Sequence, residues 1–115
     1  MIKKIENLVP LCELNPASGS GALIKYVFLS GDECPEKIEF VVKAEIQPNS
    51  EVGQHTHKGN GEIWFFLKGK GEYSDNDKRY EVGQGDMTVC YSGNSHGVKN
   101  VGGDVLEYLA VKFID

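Results

Sequence analysis

Cysteine is scarce in this chain of 115 residues, and the three present, Cys12, Cys34 and Cys90, include no C-x-x-C pair. An odd number at these spacings builds no disulfide framework, so three reduced thiols in a cytoplasm are expected. Long apolar runs are missing too: none approaches the ~18 residues of a membrane span. The basic start of "MIKKIENLVPLCEL" leads into no signal-peptide core, because Glu6, Asn7 and Pro10 interrupt it. Clustered positive charge is also absent. The lysines are scattered among acids and the formal net charge is −5, whereas nucleic-acid binding draws on grouped cations to displace phosphate counterions. Neither nucleic acid nor membrane is therefore an expected partner. With no internal repeat and no shift in composition, residues 1–115 are read as a single domain.

Sustained 3.6-residue periodicity is the last absence, and it excludes a helical domain. Short alternating segments recur in its place. Ala22–Leu29 is β-branched and aromatic, and Ile38–Ile46 places Phe40, Val42, Ala44 and Ile46 on one face before Pro48 and Asn49 end it. "EVGQHTH", "EIWFFLKG", "GKGEYS", "RYEVGQGD", "MTVCYS", "SHGVKNV" and "VLEYLAVKFI" continue the series. Gly, Asn and Asp turns join them, and fourteen glycines supply residues tolerant of positive φ. Many short strands with such turns predict an all-β sandwich or barrel.

What is there, against this background, is a concentration of histidine. Only three occur, and two of them, His55 and His57, fall in "GQHTHKGNGEIWFFLKG". Residues i and i+2 of a strand share a face, with Cα atoms about 6.6 Å apart, so both imidazoles can lean onto one ion. The turn "KGNG" can then reverse the chain, bringing Glu62 beside them as a third ligand from one hairpin. A lone H-x-H is equally at home as a pair of surface or capped histidines. The third histidine, His96, lies far along the chain in "GQGDMTVCYSGNSHGVKN".

These two stretches resemble the two motifs of the cupin family, G-x5-H-x-H-x3,4-E-x6-G and G-x5-P-x-G-x2-H-x3-N. The first is matched by His55, His57, Glu62 and Gly69, and the second by Gly85, Gly93, His96 and Asn100, with every spacing kept. Asn49 replaces a glycine of the first motif, a mild change because Asn also tolerates the left-handed region. Tyr91 replaces the proline of the second and removes no ligand. The resemblance implies a small jelly-roll (double-stranded β-helix) barrel holding one divalent metal ion on His55, His57, Glu62 and His96. It also implies a homodimer.

Imidazoles and a carboxylate suit a first-row divalent ion; calcium or magnesium would want more oxygen ligands. Iron, manganese, nickel, cobalt, copper and zinc all remain open. On an octahedral ion four protein ligands leave two positions for water, dioxygen or substrate. The expectation is a metal-dependent enzyme acting on a small soluble metabolite: a dioxygenase, decarboxylase, lyase or isomerase. The alternative is a non-catalytic module that binds a sugar or small acid. By alternation from Glu62, Trp64 and Phe66 point into the barrel as candidate pocket walls or as core, and Ile63, Phe65 and Leu67 form an outward stripe, an exposed patch unless a second sheet or subunit covers it. Cys90 is read as a buried inert thiol and Tyr91 as packing in its turn. Lys58 and Asn60 border the expected entrance.

Overall fold

The computed structural model describes residues 1–115 and contains ten strands and no α-helix. The strands are β1 (Leu11–Leu14), β2 (Ala22–Ser30), β3 (Ile38–Ile46), β4 (Glu51–Thr56), β5 (Asn60–Lys68), β6 (Lys70–Asp75), β7 (Lys78–Gly83), β8 (Met87–Cys90), β9 (Ser95–Asn100) and β10 (Leu106–Ile114). All pair antiparallel. One sheet has the order β1-β2-β3-β10-β5-β8 and the other β4-β9-β6-β7. The all-β jelly roll expected from the sequence is the fold observed. No helix is long and apolar enough to cross a membrane.

Period-2 alternation explains how the sheets close on each other. Along β5, Glu62, Trp64 and Phe66 are buried while Ile63, Phe65 and Leu67 are exposed. Along β3 the inward set is Val42, Ala44 and Ile46, and along β10 it is Leu106, Tyr108 and Ala110. The inward faces meet in one apolar cluster in which Ile46, Phe66 and Leu106 are fully sealed. Each such side chain contributes roughly 1.5–3 kcal/mol relative to exposure.

Two details differ from the sequence reading. The strand β1 had no counterpart in it. More important for the site, β4 and β5 are not a hairpin: after "KGNG" the chain leaves the four-stranded sheet and joins the six-stranded one. Glu62 therefore faces the histidines across the sandwich.

Several positions of the two motifs shape the backbone. Asn49 has φ +62°, the left-handed conformation that its motif position asks of a glycine. Gly93, at φ +92°, turns the chain before His96 and donates its N–H to the His57 carbonyl at 2.7 Å. The buried Asn100 amide donates to the carbonyls of Ile46 and Asp104 and accepts from the Gly102 N–H, so it ties the end of β9 to two other segments.

Candidate metal centre

Three routes bring the four predicted ligands together. His55 on β4 lies opposite His96 on β9 in register, so neighbouring strands present both imidazoles on one face. His57 sits just beyond β4, its backbone held by Asn94 and Gly93 of the loop before β9. Glu62 arrives from β5 in the opposing sheet. The ligating atoms all lie within 4.8 Å of one another. From Glu62 Oε1 the Nε2 atoms of His57, His96 and His55 are 3.1, 3.6 and 3.8 Å away, and His57 Nε2 is 2.9 Å from His96 Nε2. Adjacent ligands about 2.1 Å from a common ion stand roughly 3.0 Å apart at right angles and 3.4 Å apart in a tetrahedron. The observed separations bracket those values.

Hydrogen bonds at the far side hold each ring in place. His55 Nδ1 is 2.8 Å from the Gly53 carbonyl, which can only accept, so Nδ1 carries the proton and Nε2 keeps its lone pair. His57 Nδ1 is 2.6 Å from Asn60 Oδ1, and His96 Nδ1 is 2.9 Å from the Tyr73 hydroxyl. Glu62 Oε2 accepts from Trp64 Nε1 at 2.8 Å, leaving Oε1 directed at the imidazoles. Trp64 also stacks on His96, with ring centroids 4.1 Å apart. The ligating atoms of four side chains thus converge on one point, an arrangement that a cation among them stabilises. This donor set fits a divalent transition metal.

The carboxylate and the imidazoles also act on each other's protonation directly. Burial would raise the Glu62 carboxyl, yet bonds with His55, His96 and Trp64 outweigh it and hold the group well below the ordinary carboxylate range. His55 is held above its usual value, burial being outweighed by its bond to Glu62 and then by the Gly53 carbonyl. His96 moves the other way, because burial dominates. Cys90, opposite Glu62 in register, is buried and pushed up to about 11 by that burial, so it stays a thiol at neutral pH.

The cluster is sealed on one side and open on the other. His57 and His96 are buried, whereas the His55 side chain is 29 % exposed. His55 and Glu62 line a cavity of about 340 Å³. Its walls include Trp64, Tyr108, Phe40 and Val42, and Glu13 and Lys25 also line it. Trp64 lies on the cavity wall; Phe66 is fully buried in the core and does not line it. Lys58 and Tyr91 are exposed, and the Tyr91 ring meets the edge of Phe113. Asn60 turns inward to His57. Tyr73, Lys25 and Tyr108 were not singled out from sequence; their inward placement depends on strand pairing across the sandwich, which no local pattern reveals.

Gly53 matters here for its missing side chain. A Cβ there would run into the Ala17 carbonyl and lie 2.8 Å from the Gly19 nitrogen. Only glycine lets the segment Pro16–Ser18, which lines the cavity through Pro16 and Ala17, press against β4 two residues before His55.

Comparison with known proteins agrees with this geometry. A protein of Thermotoga maritima named an oxalate-binding protein is 32% identical over 111 residues, 96% of this chain and 92% of that one. A crystal structure from Thermotoga maritima, described as a predicted oxalate decarboxylase, matches with a TM-score of 0.96 at 31% identity and covers 100% of both chains. An uncharacterized double-stranded β-helix protein of Klebsiella pneumoniae shares the fold alone, with a TM-score of 0.75 at 20% identity over 98% of this chain and 89% of that one. A cupin-domain family model matches residues 42–112, from β3 through the four clustered side chains into β10. The spacing of the histidines, the jelly roll and these matches have one explanation: the chain belongs to the cupin family.

Proposed function

We propose that the protein is a divalent-metal-dependent cupin that takes a small organic acid of the oxalate class at the open side of its three-histidine, one-glutamate centre. One observation carries the reading: four converging donor atoms are sealed at His57 and His96 and reach a cavity at His55 and Glu62. A ligand approaching from that cavity meets the ion's free side while Trp64 and Tyr108 limit its orientation. The names of the two Thermotoga maritima relatives, one for binding oxalate and one for decarboxylating it, support this ligand class.

A bound ion of this type supplies Lewis-acid polarisation of an oxygen or activation of water or dioxygen. Turnover is thus the second reading, favoured by the open approach. Against it stands the small supply of bases: beside Glu62, Glu13 is the one carboxylate lining the cavity. Capture of the acid therefore leads. We place the protein in the cytoplasm as a single-domain homodimer, with Cys12, Cys34 and Cys90 as free thiols.

The test is calorimetric titration of oxalate into metal-loaded and chelator-stripped protein, with elemental analysis of both and an assay for carbon dioxide release. Oxalate should bind only the loaded form, and His96→Ala should lose most of its metal. Equal binding by the stripped protein would overturn the reading; carbon dioxide release would promote the enzyme. Because ligation needs neutral imidazoles, added metal should raise the melting temperature more at pH ~7 than at pH ~5. Equal shifts would remove histidine from the ligand set.

A further inference from the structure

Two residues of the cavity lie outside the four-residue cluster, and they bear on what a ligand carries beyond the end that meets the metal centre. The first is Lys25. It lies on β2 on the same inward face as Leu23 and Val27, and among the residues lining the cavity it is the one lysine or arginine. Its ammonium is held by Glu13 of β1, and both side chains are partly exposed, at 34% and 43%. Such a pair is weak and exchangeable.

The second is Tyr108. The residue is only 3% exposed, yet no group of the protein hydrogen-bonds its hydroxyl. Thr88 Oγ1 is the single side-chain oxygen or nitrogen that is both sealed and unpartnered, so the Tyr108 hydroxyl opens onto the cavity it lines. A buried hydroxyl without a protein partner is costly unless water or a ligand satisfies it.

Strand register separates Lys25 from the metal centre, while Tyr108 lies on the wall between, its ring 4.7 Å from that of Trp64, which bonds Glu62. Lys25 pairs with Ala44, Ala44 with Tyr108, and Tyr108 with Phe66, four residues along β5 from Glu62. Three strand spacings of ~4.8 Å and four rises of ~3.3 Å put the Lys25 and Glu62 backbones about 20 Å apart along the sheet surface. Curl of the barrel and the reach of both side chains shorten the gap between the cation and the donor cluster. Between them the wall is apolar, with Phe40, Val42, Ala44 and Ala110.

We propose that the cavity accepts an organic acid longer than oxalate, with an apolar spacer, whose one end meets the metal centre and whose far carboxylate takes Lys25 from Glu13 and accepts from the Tyr108 hydroxyl. The proposal rests on the reading that the four-residue cluster holds an ion. It assigns Lys25 as the residue that selects ligands by length and charge, and Glu13 as the internal competitor that a ligand displaces.

The experiment titrates metal-loaded protein with straight-chain dicarboxylates from oxalate to adipate and with monocarboxylates of matched length. Metal content is measured in every sample. Affinity should peak at a diacid longer than oxalate and exceed that of the matched monoacid by about tenfold, the worth of one charge-assisted contact, about 1.4 kcal/mol. Lys25→Met should erase that preference with metal content unchanged, and Glu13→Gln should increase diacid affinity several-fold. Oxalate binding as tightly as every longer diacid, unaffected by either variant in fully metal-loaded protein, would overturn the proposal and leave the metal reading intact. Protein that binds neither metal nor acid would overturn the underlying reading and the proposal with it. If Lys25→Met is poorly folded, Glu13→Gln decides: unchanged diacid affinity there counts against the exchange.

Discussion

At the residue scale, the candidate metal centre depends on side chains outside the four-residue cluster. Each ligand is aimed by one neighbour: His55 by the Gly53 carbonyl, His57 by Asn60, His96 by Tyr73 and Glu62 by Trp64. The four clustered side chains were legible in sequence because H-x-H in a strand, a glutamate at fixed spacing and a distant histidine form a pattern. Their neighbours were not. Asn60 lies three residues from His57 and reads as a turn residue, and nothing local connects Tyr73 to His96. The 2.6 Å contact makes Asn60 the sharpest test. Asn60→Leu removes the acceptor that fixes the His57 tautomer, so metal affinity should fall by roughly 10- to 100-fold. Competition with a chromophoric chelator measures it. Asn60→Asp keeps an acceptor and should retain most of the affinity. An unchanged dissociation constant in Asn60→Leu would mean that His57 is positioned by its backbone bonds alone.

At the element scale, strand content was readable from alternation while strand partnership was not. The β3, β5 and β10 segments each show long two-residue periodicity and were legible. The strand β1 is four residues long and mostly exposed, so it leaves no amphipathic signature. Its place is fixed by pairing with β2. The crossing from β4 to β5 was hidden for a related reason: "KGNG" has hairpin composition, and only the pairing of β5 with β10 and β8 draws the strand into the other sheet.

Pairing also produces an outer-face charge cluster. Glu107 of β10 stands opposite Glu45 of β3, and Lys43 bonds both, at 2.8 and 2.9 Å. Lys43 holds the Glu107 carboxyl below its ordinary range. Lys43 itself is raised: burial opposes this, and the two carboxylates outweigh it. A lowered carboxyl stabilises the fold above its unfolded-state value and loses that contribution as pH falls through the folded value. A raised lysine contributes below its unfolded-state value and loses it as pH rises through the folded one. Lys43→Met leaves two like charges facing each other. It should cost about 1 kcal/mol at pH ~7, a figure reduced for partial solvent screening. In urea unfolding series the difference from wild type should shrink below pH ~4. A pH-independent difference would assign the loss to packing of the lysine stem over Tyr26.

At the scale of the whole molecule, the two faces of the six-stranded sheet make different demands. The inner face closes on the core and the metal centre; the outer face leaves Ile63, Phe65, Leu67 and Met87 at 37%, 42%, 38% and 56% exposure. They lie on β5 and its neighbour β8, where Phe65 and Met87 are directly paired. A contiguous apolar patch of this kind is uncommon on a monomer's surface, and an isologous contact between two copies would bury it by a single symmetry operation. The same strand presents Glu62 and Trp64 to the cavity, so pairing of copies through β5 would stiffen the element that supplies one ligand and its orienting indole. The expected particle in sedimentation equilibrium is therefore twice the 12.7 kDa of one chain. Phe65→Glu points a charge into the patch without touching the core and should shift the protein to monomer. Its circular dichroism should remain that of a folded β protein, since Phe65 lies outside the buried cluster. A wild-type protein that sediments as a monomer at high micromolar concentration would rule out this use of the stripe. A Phe65→Glu variant that stays dimeric would move the interface to another face.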